Sequence, residues 1–177
     1  ELSREFRFYA VINENYGRKA EDKSKRLDLN KIEHAKKVPG NKYLETIDKY
    51  SKEIGKKFGD ELVIHVHGIK DENIKRAAAE LPKDKLSHKP AELCVLLGFG
   101  QQKNKEKQRF TAKESTVELL SQCLAQNGMP AAEAPVEPIQ EEEGGDDLWY
   151  CGSDNSRMNQ YFYESELPVQ SIQLEIR

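Results

Sequence analysis

The apolar residues of this chain fall into three rhythms, and each predicts a different kind of element. Two stretches are nearly continuous: Glu61-Leu-Val-Ile-His-Val-His-Gly68 and Leu93-Cys-Val-Leu-Leu-Gly98 both run apolar until a glycine stops them. Such runs predict strands covered on both faces, and the second predicts a central parallel strand. Three stretches alternate. Glu5–Ile12, rich in aromatic and β-branched residues, predicts a strand. In Arg26–Lys31, Leu27 and Leu29 alternate with Asp28 and Asn30, so one face would bury leucine and the other present polar groups. In Val169–Ile176, Ile172, Leu174 and Ile176 share one face, and Ser171, Gln173 and Glu175 the other. The third rhythm is helical. Leu44, Ile47, Tyr50, Ile54 and Phe58 predict an amphipathic helix over Tyr43–Phe58, ended by Gly59. Val117, Leu120 and Leu124 predict another over Ser115–Asn127, capped by Asn127-Gly128.

The intervals complete the picture. Val38-Pro-Gly-Asn41 is a turn signal, and a short helix is expected over Ile74–Leu81. Asn13–Lys25 and the basic Gln101–Arg109 stretch read as exposed loops, the second mobile. Met129–Asp147 is rich in Pro, Ala and Glu and reads as an acidic, flexible surface insertion. A short strand is expected at Leu148–Cys151, then a loop over Gly152–Ser156, then a helical turn over Arg157–Tyr163. A helix that feeds straight into a buried strand marks the α/β class. The expectation is one α/β domain over residues 1–177, with a mixed, mostly parallel sheet and helices on both faces. An N-terminal strand is possible beyond it.

Composition narrows the function. The 177 residues suit a single core, and 33% are charged. The net charge of −3 gives no basic footprint for nucleic acid. No apolar stretch reaches membrane-spanning length. Cys94, Cys123 and Cys151 are scattered, odd in number and without a CxxC, which fits a reducing, cytoplasmic compartment.

Three polar clusters sit on predicted strands: Arg26/Asp28/Asn30/Lys31, His65/His67 and Gln173/Glu175. His65 and His67 lie two apart, so both imidazoles face one side. A single histidine at a strand end is usually just a satisfied polar residue. The pair before Gly68 suggests a metal or acid/base site. Strand ends of an open α/β sheet gather ligands in one crevice, where imidazole, carboxylate and cation are the parts of a hydrolytic metal centre. Other chemistries fit less well. Cys94 lies within its strand and reads as core rather than as the nucleophile of a strand-His-Gly cysteine protease. No serine elbow is present, and Gly98-Phe-Gly100 is too short for a phosphate loop. His34 and His88 read as surface residues, and the Trp149-Tyr150 pair as core packing.

Leu27-Asp-Leu-Asn-Lys31, His65-Val-His-Gly68, Leu96-Leu-Gly98 and Ile172-Gln-Leu-Glu-Ile-Arg177 occur in an order that resembles the N-formylglutamate amidohydrolase-like family. That family is related in fold to zinc carboxypeptidases. The resemblance implies a phosphorylase/hydrolase-like α/β fold and zinc. It implies that His67 ligates the metal and that Glu175 is the general acid/base on the metal-bound water. It implies that Asn30 belongs to an anion-binding pair in which Lys31 stands where the family has arginine, a change that loses the bidentate fork. Arg26 would supply the missing cation, and Arg157 is a further candidate for holding substrate. His65 stands where the family has an acid and could tune His67 or ligate the metal. The family's first metal ligands precede its asparagine–arginine segment, and the residues before Arg26 here include no histidine. The expected function is zinc-dependent hydrolysis of an amide bond in an N-acyl amino acid or peptide-like substrate. The alternative is an inactive binding module of the same fold.

Overall fold

A computed structural model describes residues 9–12, 16–17, 20–82, 89–140, 147–148, 150–154, 157–163 and 169–177. Strands β1 (Glu61–Gly68), β2 (Val95–Gly98), β3 (Ala131–Glu133) and β6 (Val169–Ile176) form the main sheet, in the order β1-β6-β2-β3. β4 (Ile139–Gln140) and β5 (Asp147–Leu148) make a separate antiparallel ladder. The helices are α1 (Ile32–Ala35), α2 (Lys42–Phe58), α3 (Asp71–Glu80) and α4 (Glu114–Gln126). The sheet is mixed: β1 runs parallel to β6, β2 parallel to β3, and β2 antiparallel to β6.

Helices cover both faces, as the α/β reading requires. On one face, Ile74, Ala77 and Ala78 of α3 pack on Leu96 and Ala132. On the same face, Leu44 and Ile47 of α2 pack on Met158 and Phe162, with Val63 and Val169 beneath. On the opposite face, Val117 of α4 packs on Val95, Leu97, Ile172 and Leu174. The predicted helices form because their apolar positions recur on one stripe that the sheet can cover. Gly59 ends α2 at φ 84°, and its N–H reaches the Gly55 carbonyl at 2.9 Å.

Several expectations need correction. β1 is not covered on both faces. It lies at a sheet edge, and Leu62, Ile64 and Val66 are 37%, 42% and 64% exposed. A continuous apolar run reports appetite for burial, not the presence of a neighbour. β2 is central but parallel only to β3. Arg26–Lys31 is no strand; it is a turn in which the Asn30 N–H bonds the Asp28 carboxylate at 3.2 Å. That local hydrogen bond competes with a ladder. Within the expected insertion Ala131, Ala132, Ala134 and Ile139 are buried in the core and β3 joins the main sheet, while Val136 and Glu137 are exposed and residues 141–146 lie outside the described residues. The expected flexible insertion therefore holds a sheet strand, because alanine is small enough to fit under α3 and α4. Of the expected Glu5–Ile12 strand, residues 9–12 are irregular, with the Tyr9 ring tilted against that of Tyr50 of α2, and the rest lies outside the described residues. Trp149 and His88 also lie outside them. His34 is no idle surface residue, since its Nδ1 accepts the Asp28 N–H at 3.0 Å. Cys94 precedes β2 and packs, partly buried, against the core. No helix among the described residues is long and apolar enough to cross a membrane.

Candidate functional site

The register of β1 on β6 makes the site. His65 lies beside Gln173 and His67 beside Glu175. In a parallel pair the partners share a face, so both imidazoles, the amide and the carboxylate stand on one side of the sheet. Because the strands are parallel, His67 and Glu175 also lie together at the carboxyl ends, where open α/β sheets gather ligands. The antiparallel register brings Gly98 beside Gln173 and Leu96 beside Glu175. A side chain at Gly98 would strike the Tyr150 carbonyl, so the loop before Gly152 can lie directly on the sheet.

A second layer closes over this face. The helical turn Met158–Gln160 packs against both β1 and β6. It is tied to the Asp28–Lys31 turn: the Met158 N–H donates to the Asn30 carbonyl at 2.9 Å, and Lys31 bridges to Arg157. Asn159 and Gln160 anchor it below through the Gly152 carbonyl. Asn30, Lys31 and Arg157 thus come, on adjoining turns, to the face that carries the histidines. Arg26 does not join them. It is exposed, and its Nε donates to the Ala20 carbonyl at 2.8 Å within its own loop.

Burial sets the electrostatics. Glu175 is 6% exposed. Burial pushes its carboxyl up to about 7, while the Gln173 hydrogen bond and the Arg157 charge pull it down. The Gln173 Nε2 donates to Glu175 Oε1 at 2.6 Å. This fixes the amide's orientation and leaves Gln173 Oε1, like Asn30 Oδ1, with no donor among the described residues. His65 is driven the other way, down to about 4, by burial first and by His67 second. It is neutral at pH 7, and its Nε2 lies 3.0 Å from Ser171 Oγ. Ser171 was legible in the sequence only as a polar strand position. The register that sets it beside β1 joins residues 106 apart, which no local pattern encodes.

The described residues supply only part of a zinc donor set. Among the described residues no three His, Cys, Asp or Glu side chains form a group that could hold a metal. His65 is engaged by Ser171, and the partner of Glu175 is an amide rather than a second donor to a metal. What the arrangement can do unaided is move a proton near neutral pH, at Glu175, beside a cation and two amide groups. No protein-family model, curated protein or solved structure matches this chain.

Proposed function

We propose that the chain is a hydrolase for an amide bond in an N-acyl amino acid or peptide-like substrate, with Glu175 as the proton-transfer group. One observation carries this reading: a buried carboxyl, held up to about 7, stands on the same face as two imidazoles and is acted on by Arg157. A carboxyl that titrates near neutrality can both take and return a proton there. Asn30 and Gln173 offer acceptors for a substrate N–H, and Arg157, whose Nε already pairs with Asp154 Oδ2 at 3.3 Å, would share its charge with a substrate carboxylate alongside Lys31. Zinc belongs to this reading only through the family likeness. His67 would be one ligand, His65 a less available one, and the described residues do not supply the remainder.

The short donor set favours a second reading, a binding module of the same fold without catalysis. Turnover of a panel of N-acyl amino acids and dipeptides, with metal content measured in parallel, separates the two. Glu175→Gln should lower turnover by about 10²–10⁴-fold while product binding persists. Turnover that survives this change removes Glu175 from its role. A wild-type chain that binds these ligands without turning them over supports the binding module.

A further inference from the structure

Three side-chain amides border the Met158–Gln160 turn, and each buries an oxygen that accepts no hydrogen bond among the described residues. Asn159 is fully buried. Its Nδ2 donates to the Gly152 carbonyl at 2.7 Å, so its Oδ1 is the atom left over. That orientation is fixed, because the turned amide would set oxygen against a carbonyl oxygen. Gln173 is buried in the same way. Its Nε2 is held by Glu175 Oε1 at 2.6 Å, and its Oε1 has no donor. Asn30 Oδ1 is the third such atom.

The fold brings these amides to one patch. The turn that carries Asn159 packs on both β1 and β6, and Gln173 stands on β6. The Asn30 carbonyl accepts the Met158 N–H of that turn at 2.9 Å. Gly152, which anchors Asn159, follows the Tyr150 and Cys151 backbone that lies on Gly98, the register partner of Gln173. Asn30, Lys31 and Arg157 are half-buried, so the patch opens to solvent on their side. The nearest guanidinium is turned elsewhere, with Arg157 Nε on Asp154 Oδ2 at 3.3 Å.

A buried acceptor left unpaired costs its desolvation. A ligand rich in N–H donors would offset all three together. A primary ammonium carries three such donors and no acceptor. As a buried cation it also needs an opposite charge, which Glu175 supplies beside Gln173. An N-acyl nitrogen offers a single N–H and adds a carbonyl oxygen to a patch already lined with acceptors. We propose that this patch binds the primary ammonium of an α-amino acid or of a peptide amino terminus, with its N–H groups on Asn159, Gln173 and Asn30 and its charge against Glu175. The inference rests on the reading above only in taking this face as the substrate site, and it selects peptide-like substrates over N-acyl ones.

The test is calorimetric titration of the whole chain, through the millimolar range, with L-alanine and L-alanyl-L-alanine. Each is used in its free, N-acetyl and N,N,N-trimethyl forms. A free form should bind, and its N-acetyl and N-trimethyl forms should bind about 10–100-fold more weakly. Binding of alanine assigns the site to free amino acids; binding of the dipeptide alone assigns it to peptide termini. Asn159→Ala should weaken the free form about tenfold or more and leave the N-acetyl form unchanged. The Gly152 carbonyl keeps its bond from Gln160 in that variant, and circular dichroism checks its fold. No binding by either free form overturns the proposal, and the wild-type series alone decides this. So does an N-acetyl form that binds as tightly, or a trimethyl form that does, since charge would then suffice without donors. Free-form affinity indifferent to Asn159→Ala overturns it as well. A chain that binds free amines but hydrolyses nothing loses only the catalytic reading; one that hydrolyses N-acyl substrates and ignores free amines loses only this inference.

Discussion

β1 and β6 lie side by side and parallel, from Glu61 beside Val169 to Gly68 beside Ile176. Their burial does not follow their apolar content. β1 is nearly all apolar along Leu62–Val66 and reads as the covered strand, but one of its faces meets solvent. β6 alternates, with a polar face of Ser171, Gln173 and Glu175, but Ser171 to Glu175 are buried on both faces. The difference is one of position in the sheet. β6 has β1 and β2 as neighbours, α4 on one face and the Met158–Gln160 turn on the other. Central placement forces Gln173 and Glu175 out of water, and this gives Glu175 its raised pKa. The polar half of an amphipathic strand becomes chemically useful once the fold buries it.

Three measurements sharpen or break this comparison. The largest effect is expected in β6. Ile172→Ala opens a cavity between α4 and the buried middle of β6, and should cost about 2–5 kcal/mol in denaturant unfolding. A loss well under this would show that β6 is not the packed centre.

The second effect lies in the pH dependence, where the two strands oppose each other. His65 of β1 has its pKa lowered from 6.5 to about 4. The unfolded chain takes up this proton before the folded one, so its contribution to stability falls as pH drops from 6.5 toward 4. Glu175 of β6 has its pKa raised from 4.5 to about 7. The folded chain keeps a proton that the unfolded chain releases, so its contribution falls as pH rises from 4.5 toward 7. Between pH 4.5 and 6.5 the two nearly cancel. Glu175→Gln should expose a stability that rises with pH there, by up to about 1.4 kcal/mol per unit. His65→Gln should expose one that falls by a similar amount. Identical profiles for the two variants would show that burial does not act on them in opposite senses.

The smallest effect belongs to the exposed row of β1. Ile64→Ala, measured on dilute monomer, should change unfolding by no more than about 1 kcal/mol. A core-sized loss would mean that this row is already covered within the single chain.

Local rules decided much of the architecture. The stripes of α2 and α4, the glycine stop at Gly59 and the period of β6 follow from which residues can share a face, and each is found where the pattern predicts it. The pairing of His65 with His67 on one face also follows from strand geometry alone. Arg26–Lys31 failed because the Asp28 carboxylate, accepting a hydrogen bond from the Asn30 N–H, made a turn from an alternating sequence. β3 failed because a run of alanines carries too little apolar area to announce a strand. Only the tertiary structure decided that Glu175 stands beside His67, that Arg157 acts on it while Arg26 stays in its loop, and that β1 is an edge. The physical reason is common to all three. A sequence states each segment's period and appetite for burial, but partners 100 residues apart are chosen by how the whole set of faces can be covered at once, and pKa values follow that choice.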